Sequence, residues 1–128
     1  MKIEFDLRNN LIMATKFGPS SYLETIEFIN KAIALGNKHK CYHILFNMQK
    51  TEETFSFMEG YDLNKNLLKV TDLTHKHRCA LIYSGNSRDI NKIKFKETVA
   101  GNWGQDIYKI FYNVDEGINW LKQLAANA

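Results

Sequence analysis

The chain has 128 residues, enough for one domain with its own hydrophobic core. Hydrophobic residues make up 45% of it and charged residues 24%, as in globular proteins rather than disordered or membrane-embedded chains. The net charge of +3 is modest, and Lys and Arg are spread along the chain, which argues against a dedicated nucleic-acid binder.

The N-terminus and the cysteines indicate the cellular compartment of the protein. The first ten residues, MKIEFDLRNN, lack the apolar core of a signal peptide. No apolar run approaches the ~20 residues that a membrane-spanning helix needs. Cys41 and Cys79 each begin an apolar run and form no CxxC pair, which predicts buried, reduced thiols. We therefore expect a cytoplasmic protein without a membrane span.

A hairpin is predicted at the start of the chain. Residues 2–7, KIEFDL, alternate apolar and polar side chains, the period of a half-buried strand. Asn9 and Asn10 favour a turn because Asn tolerates positive φ. Residues 11–17, LIMATKF, supply the second strand, and the Gly-Pro-Ser stretch 18–20 is predicted to end it.

The first predicted helix follows directly. Ser21 and Glu24 have the spacing of a capping box, in which each side chain satisfies an unpaired backbone donor. Gly36 is predicted to end the helix. The apolar residues between them recur at helical spacing and predict one buried face: Tyr22, Ile26, Ile29 and Ile33.

A buried strand and a second helix are predicted next. Residues 41–48, CYHILFNM, are apolar and rich in strand formers, which is typical of a central strand buried on both faces. A polar connection follows. From Phe55 to about Val70 the pattern is helical, although Gly60 weakens it by about 1 kcal/mol relative to Ala.

The last third of the chain repeats the strand–helix pattern. Residues 79–84 and 107–113 predict two further strands, with a helix over 89–101 between them. Asn113 and Glu116 again have capping-box spacing, before a final helix.

The predicted order is β-β-α-β-α-β-α-β-α over a single domain, residues 1–128. Strands separated by helices require crossover connections, which favour parallel pairing. We therefore predict an α/β fold with a mixed, mostly parallel sheet and helices packed against it.

Three stretches resemble a known family: residues 42–56, YHILFNMQKTEETFS; residues 77–87, HRCALIYSGNS; and residues 95–121, FKETVAGNWGQDIYKIFYNVDEGINWL. With them the chain resembles the STAS-like family, named for sulphate transporters and anti-sigma-factor antagonists, and specifically its small single-domain bacterial members of unassigned function. Asn47 stands where that family often has Asp, and Gly117 where it commonly has Ala. The resemblance implies the fold above and a regulatory, binding role.

The resemblance also implies a phospho-switch candidate. Anti-sigma-factor antagonists are switched by phosphorylation within an Asp-Ser-Ser-Gly segment after the central strand. The corresponding segment here is 54–57, in which Ser56 matches the modified serine, while the neighbouring Asp, Ser and Gly are absent. A phosphate on Ser56 or Thr54 would meet the N-terminus of the predicted helix. The alternative is that Thr54 only caps this helix and Ser56 belongs to its first turn.

Ligand-binding candidates follow the predicted strands, because ligands of open α/β sheets bind beyond the carboxyl ends of the strands. An ordinary strand-to-helix turn is the alternative for residues 84–87, since neither GxxxxGK nor GxGxxG occurs. For Trp103, inside Gly-Asn-Trp-Gly, the alternative is a cover over the sheet edge or a neighbouring subunit. The candidates are Asn47, Ser84, Gly85, Asn86, Ser87 and Trp103.

Metal-binding and catalytic residues are not predicted. The alternating stretches His39-Cys41-His43 and His75-His77 do not have a recognised zinc spacing. The acidic residues are scattered, so no pair is placed for general acid–base chemistry. We expect no metal, no cofactor and no enzymatic activity.

The leading hypothesis is a non-enzymatic STAS-like module that binds a partner protein or a small ligand. The first alternative is a small-molecule or lipid carrier with an apolar pocket between sheet and helices, and the second is an enzyme of unrecognised type. The high aromatic content is compatible with a homodimer. The basic stretch 92–96 could contact anionic lipid, although an ordinary amphipathic surface helix is the simpler interpretation.

Overall fold

The computed structural model of the protein describes residues 1–84 and 107–126. Its strands are β1 (Lys2–Asp6), β2 (Leu11–Ser20), β3 (His43–Glu53), β4 (Arg78–Ile82) and β5 (Tyr108–Phe111). Its helices are α1 (Tyr22–Lys38), α2 (Phe57–Lys65), the single turn α3 (Leu67–Val70) and α4 (Val114–Ala126). The helix predicted over 89–101 lies outside the described residues.

The five strands form one sheet in the order β1-β2-β3-β4-β5. The first two are antiparallel, and each later strand is parallel to its neighbours. This confirms the predicted mixed, mostly parallel sheet, with β3 in the centre. In the described parts of the chain, no helix has both the length and the apolar character needed to cross a membrane.

Strands β2 and β3 are longer than predicted. The stretch 18–20 does not end β2: Gly18, Pro19 and Ser20 continue it and pair with Thr51, Glu52 and Glu53. Pro is tolerated there because the β1 pairing stops at Thr15, so that side of β2 needs no backbone N–H. The polar stretch after residue 48 is therefore a strand and not a connection.

The two faces of the sheet carry separate hydrophobic clusters, because successive side chains of a strand point to opposite faces. The cluster under α1 includes Ile12, Ile44, Phe46, Phe28 and Ile33. The cluster under α4 includes Leu11, Leu45, Ala80, Ile82 and Leu121. Both are almost fully buried, and burial of each large apolar side chain contributes roughly 1.5–3 kcal/mol. Cys41 and Cys79 are free and buried, as the sequence predicts.

Helix α1 begins as predicted, with a complete capping box between Ser21 and Glu24. Of the predicted face, Ile33 is buried as expected, whereas Tyr22, Ile26 and Ile29 are only half-buried. The buried face is turned by about one residue and also contains Thr25, Phe28 and Ala32. The apolar positions are numerous enough to form two adjacent stripes, and packing on the sheet selects the stripe with the large Phe28 ring.

Gly36 does not end α1, which continues to Lys38. Gly36 is buried inside the helix, where a Cβ atom would lie 2.5 Å from the carbonyl oxygen of Cys41. The Cys41 amide donates to the Gly36 carbonyl at 2.8 Å, so the returning chain lies directly against the helix. This close approach, and not a left-handed cap, explains the glycine.

The predicted helix over 55–70 is two helices. The break falls at Asn66 and not at Gly60, which lies within α2. Asn66 closes α2 through its backbone N–H, which donates to the Asp62 carbonyl at 2.8 Å, and its side-chain amide donates to the Asp62 carboxylate at 2.8 Å. Asn is favoured at such ends because its side chain bonds to nearby polar groups.

Substitution of Gly36 by Ala tests this contact. We expect Gly36→Ala to lose about 1–2 kcal/mol of unfolding free energy, because overpacking costs about 1–3 kcal/mol and better helix propensity returns up to ~1. The neighbouring exposed substitution Asn37→Ala should stay within about 0.5 kcal/mol of the original protein. Urea unfolding measures both. If the two variants were equally stable, the chain after α1 would be able to move away from the added methyl group without a loss of stability.

Candidate functional site

A cavity of about 60 Å³ lies on the α1 side of the sheet and opens to the surface. The helices contribute Thr25, Phe28 and Ile29 from α1, Leu63 from α2 and Leu67 from α3. The sheet and the residues that follow its strands contribute Phe46, Met48, Glu53, Cys79, Tyr83 and Tyr108. The site therefore combines residues from five distant parts of the sequence.

The walls of the cavity are mainly apolar. Phe28 and Phe46 meet edge to face, with ring centroids 5.6 Å apart, a favoured aromatic arrangement that fixes both rings. Leu63 of α2 and Leu67 of α3 add further apolar side chains to the wall. A pocket with apolar walls and few polar groups is the usual form of a small-molecule site.

The polar part of the wall is a pair formed by Tyr83 and Glu53. The Tyr83 hydroxyl donates to Glu53 Oε1 at 2.9 Å, which links the residue after β4 to the last residue of β3. Nearby, the buried hydroxyls of Ser20 and Thr25 are 2.8 Å apart and bonded to each other. Each polar group of this region thus has a partner, as buried polar groups require.

A bulge aims Glu53 at the cavity. Phe46 and Met48 face the cavity from even positions of β3, whereas Glu53 faces it from an odd position. Between them the register shifts: Thr15 pairs with Asn47, but Phe17 pairs with Lys50, so β3 contains one extra residue. An extra residue reverses the alternation of side chains, and Glu52 is consequently turned outward and exposed.

Ionisation of the buried groups follows from their surroundings. Burial raises the pKa of Tyr83 well above its ordinary value, and the negative charge of Glu53 adds to this effect. Burial also raises the pKa of Tyr108 and raises the pKa of the Cys79 thiol to about 12. At neutral pH the cavity therefore contains neutral phenols and a neutral thiol rather than activated nucleophiles.

Of the predicted ligand-binding residues, the two that the structure describes, Asn47 and Ser84, do not line this cavity. Asn47 lies between Phe46 and Met48 on β3 and so faces the opposite side of the sheet, where its Oδ1 accepts the Gln49 amide at 3.1 Å. Ser84 is half-buried and directly follows Tyr83. Gly85, Asn86, Ser87 and Trp103 lie outside the described residues.

Ser56 is the N-cap of α2 and is exposed. Its hydroxyl accepts the Glu59 amide at 3.1 Å, and the Glu59 carboxylate accepts the Ser56 amide at 2.9 Å, a complete capping box. Thr54 is not the cap, contrary to the alternative considered above. Its backbone amide donates to the Ser20 carbonyl at 3.0 Å, continuing the β2–β3 pairing.

The histidine stretches are dispersed in the fold. His39 stacks on Phe5 with ring centroids 4.2 Å apart, and the Cys41 thiol contacts the carbonyls of Asn10 and His43 at 3.5 Å. Within residues 1–84 and 107–126, no three His, Cys, Asp or Glu side chains converge in a way that could hold a metal ion.

Among the described residues, His77 is the only buried histidine, with 2% of its surface exposed. Its Nδ1 accepts the Thr74 amide at 3.0 Å, while its Nε2 is buried without a hydrogen-bond partner. Burial lowers the pKa of His77 because the charged imidazolium is poorly solvated there. Burial and the nearby Arg78 charge lower the pKa of His43 as well.

The sequence patterns did not indicate Thr25, Glu53 or Tyr83 as cavity residues. Thr25 lay one position outside the predicted apolar face of α1. Glu53 lay in a stretch interpreted as a polar connection, and only the strand pairing and the bulge reveal its direction. A useful indication was present in Tyr83, a polar aromatic residue at the carboxyl end of a buried strand.

Comparisons with protein-family models, curated proteins and solved structures gave no match to this chain. The resemblance to the STAS-like family stays a prediction. The function is therefore inferred from the cavity and from the residues around it.

Removal of the side chain that caps α2 should measurably lower the stability of the protein. We expect Ser56→Ala to lower the unfolding free energy by about 1 kcal/mol, because the Glu59 amide loses its acceptor. Thr54→Ala, at the other phosphorylation candidate, should remain within about 0.5 kcal/mol. Chemical denaturation distinguishes the two, and an equal loss in both variants would contradict the capping role of Ser56.

The lowered pKa values of His77 and His43 predict that the protein loses stability in weak acid. Because the folded pKa of His77 is below the unfolded value of about 6.5, the unfolded state binds protons more readily. Stability should be complete above pH ~6.5 and fall as the pH decreases toward the folded pKa, with His43 acting in the same direction.

The measurement is urea unfolding at pH 7.5, 6.5 and 5.5, where ordinary carboxyl groups remain ionised. His77→Phe should show a smaller acid-induced loss than the original protein. His75→Gln, at an exposed position, should keep the original pH dependence. A loss unchanged by His77→Phe would assign the acid sensitivity to other groups.

Proposed function

We propose that the protein is a non-enzymatic, STAS-like binding module of the cytoplasm that holds a small, mostly apolar ligand in the cavity between the sheet and helices α1, α2 and α3. The observation that supports this most directly is the cavity itself, with apolar walls and one hydrogen-bonded pair, Tyr83 and Glu53. The cavity supports the small-ligand form of the leading hypothesis, which overlaps with the carrier alternative.

The size and lining of the cavity favour a ligand over buried water. Protein interiors are close-packed, with few voids larger than a water molecule. Water in a cavity needs two to four polar partners. Here Tyr83 is already bonded to Glu53 and Thr25 to Ser20, and the remaining wall is mainly apolar. An apolar group entering from the open side would gain contacts that water cannot make.

The protonation states of the cavity residues favour binding over catalysis. A nucleophile needs a lowered pKa or an adjacent base. The Cys79 thiol has its pKa raised to about 12, and the Tyr83 hydroxyl is bonded to a carboxylate that raises its pKa further. These groups can position a ligand, but they are poorly placed to attack one.

Partner-protein binding is the second candidate, and exposed apolar residues support it. Leu23 in the first turn of α1 is 73% exposed, and Met58 in the first turn of α2 is 68% exposed. The start of α1 meets the start of α2 through the rings of Tyr22 and Phe55, whose centroids are 6.3 Å apart. The Tyr22 hydroxyl also donates to the Asp62 carboxylate, in the second turn of α2, at 2.8 Å. The Ser56 cap lies at the same end, so a phosphate there would change the charge of this surface.

A neutral fluorescent probe, N-phenyl-1-naphthylamine, tests the cavity as a binding site. We expect saturable binding to the original protein. Leu67→Phe adds bulk inside the cavity and should weaken binding at least about tenfold, equivalent to about 1.4 kcal/mol. Fluorescence titration provides the dissociation constants.

The matched control is Leu68→Phe, the same change at the adjacent half-buried position of α3, which does not line the cavity. This variant should bind the probe as the original protein does. Circular dichroism and thermal melting establish that both variants are folded. No saturable binding to the original protein, or equal binding to both folded variants, would rule out the cavity as the ligand site.

A further inference from the structure

We infer that a second copy of this chain docks on the outer edge of β1, so that two antiparallel β1 strands join the two sheets in a symmetric homodimer. Among the described residues, β1 is an end strand of the sheet and pairs only with β2. No residue of β1 lines the cavity, so this surface is separate from the proposed ligand site.

The edge of β1 is held in place and offers backbone groups for pairing. All five of its residues pair with β2, and the ring of Phe5 stacks on His39 with ring centroids 4.2 Å apart. In an antiparallel pair, alternate residues direct their N–H and C=O groups away from the partner strand. On an end strand these outward groups form a template for a further strand. A second copy can therefore add to β1 without rearrangement of the sheet.

The order of side chains along β1 suits antiparallel pairing with itself. A two-fold axis through Glu4 places residue 2 opposite residue 6 and residue 3 opposite residue 5. Each Lys2 then faces Asp6 of the partner subunit, and each Ile3 faces Phe5 of the partner subunit. Pairs of opposite charge and pairs of apolar side chains both stabilise antiparallel strands when they lie directly across from each other. Because of the symmetry, each of these contacts occurs twice.

The apolar side chains of β1 would gain cover in the dimer. Ile3 and Phe5 pack against the cluster under α1 but are only half-buried in the single chain. Pairing places the same two side chains of the second copy beside them. Leu7, just beyond β1, is 81% exposed and would lie next to the start of the partner strand. Removal of this apolar surface from water favours association.

The charged side chains of β1 fit a second copy rather than prevent its approach. Charges on an end strand commonly oppose association between edges. In β1, however, the charges at the two ends have opposite signs, so antiparallel pairing makes them complementary. Asp6 is held in place by two hydrogen bonds from Asn9, at 3.1 and 2.9 Å. Lys2 can turn toward the partner because its ion pair with Glu4, at 3.7 Å, is exposed, and such pairs are weak.

The expected affinity is modest. Glu4 lies opposite itself at the axis, and like charges directly across two strands are unfavourable. The pairing also involves only five residues of each chain, and small interfaces belong to weak complexes. We therefore expect a dissociation constant on the order of tens of micromolar.

Charge reversal tests this pairing. Lys2→Glu puts a carboxylate opposite Asp6, and Asp6→Lys puts an ammonium group opposite Lys2, so each variant alone should dimerise at least about tenfold more weakly than the original protein. Mixed in equal amounts, the two variants should form a heterodimer in which both contacts again join opposite charges. Sedimentation-velocity ultracentrifugation of the full chains at low salt, from about 5 to about 500 µM, measures the dissociation constants.

Two further variants complete the experiment. Lys122→Glu makes the same charge change at an exposed position of α4 and should keep the original dissociation constant. Glu4→Gln removes the like charges at the axis and should strengthen the dimer at least about threefold. Circular dichroism establishes that each variant is folded. Recovery on mixing cannot come from a change in folding, because the mixture contains the same two chains.

Four outcomes would overturn the inference. If the original protein is a monomer throughout the concentration range, the edge of β1 does not bind a second copy, whatever the cavity binds. If Lys2→Glu and Lys122→Glu have equal effects, association depends on net charge or uses another surface. If Glu4→Gln weakens the dimer, the axis does not pass through Glu4. If the two folded charge-reversal variants do not associate on mixing, Lys2 and Asp6 do not face each other.

Discussion

The bulged parallel pairing of β2 with β3 is the constraint on which the rest of the structure depends. Beyond Thr15 the two strands continue together to Ser20 and Glu53, after β3 has gained one extra residue. Gly18, at a φ of 76°, accommodates the irregular backbone in a region that side-chain-bearing residues avoid. Both helix caps follow from this shared end: the α1 cap, Ser21, directly follows Ser20, and the α2 cap, Ser56, lies three residues after Glu53. The strand ends therefore position the helices and the Glu53 carboxylate together.

The two faces of the sheet are packed in different ways. Under α4 the contact is close: a Cβ on Gly117 would lie 2.7 Å from Ile82 Cδ1 and 3.2 Å from the Ala80 Cβ. An alanine at position 117 would thus require Ile82 to move. On the α1 side the large rings of Phe28 and Phe46 meet edge to face and leave a cavity beside them. Among the described residues, the cavity thus lies on the α1 face of the sheet.

Local sequence patterns predicted which helices and strands are present better than they predicted where those elements end or which residues line the cavity. The buried run 44–46 and the capping box at Ser21 were predictable because each depends on neighbouring residues. The extension of β3 was not, because residues 49–53 are polar and are held in the sheet by backbone bonds to β2 rather than by burial. The cavity depends on this extension and on contacts between segments such as Tyr83 and Glu53, 30 residues apart. No short-range pattern contains that information.

The Tyr83–Glu53 pair places a polar contact at a mainly apolar wall. Removing a carboxylate from water is unfavourable unless hydrogen bonds or charges compensate for the lost solvation. Apolar residues of similar volume often replace buried polar or charged pairs without loss of stability. The adjacent Glu52 is exposed to solvent. Because of the bulge, Glu53 rather than Glu52 faces the cavity. The bulge and the Tyr83 hydroxyl together hold the Glu53 carboxylate at this wall.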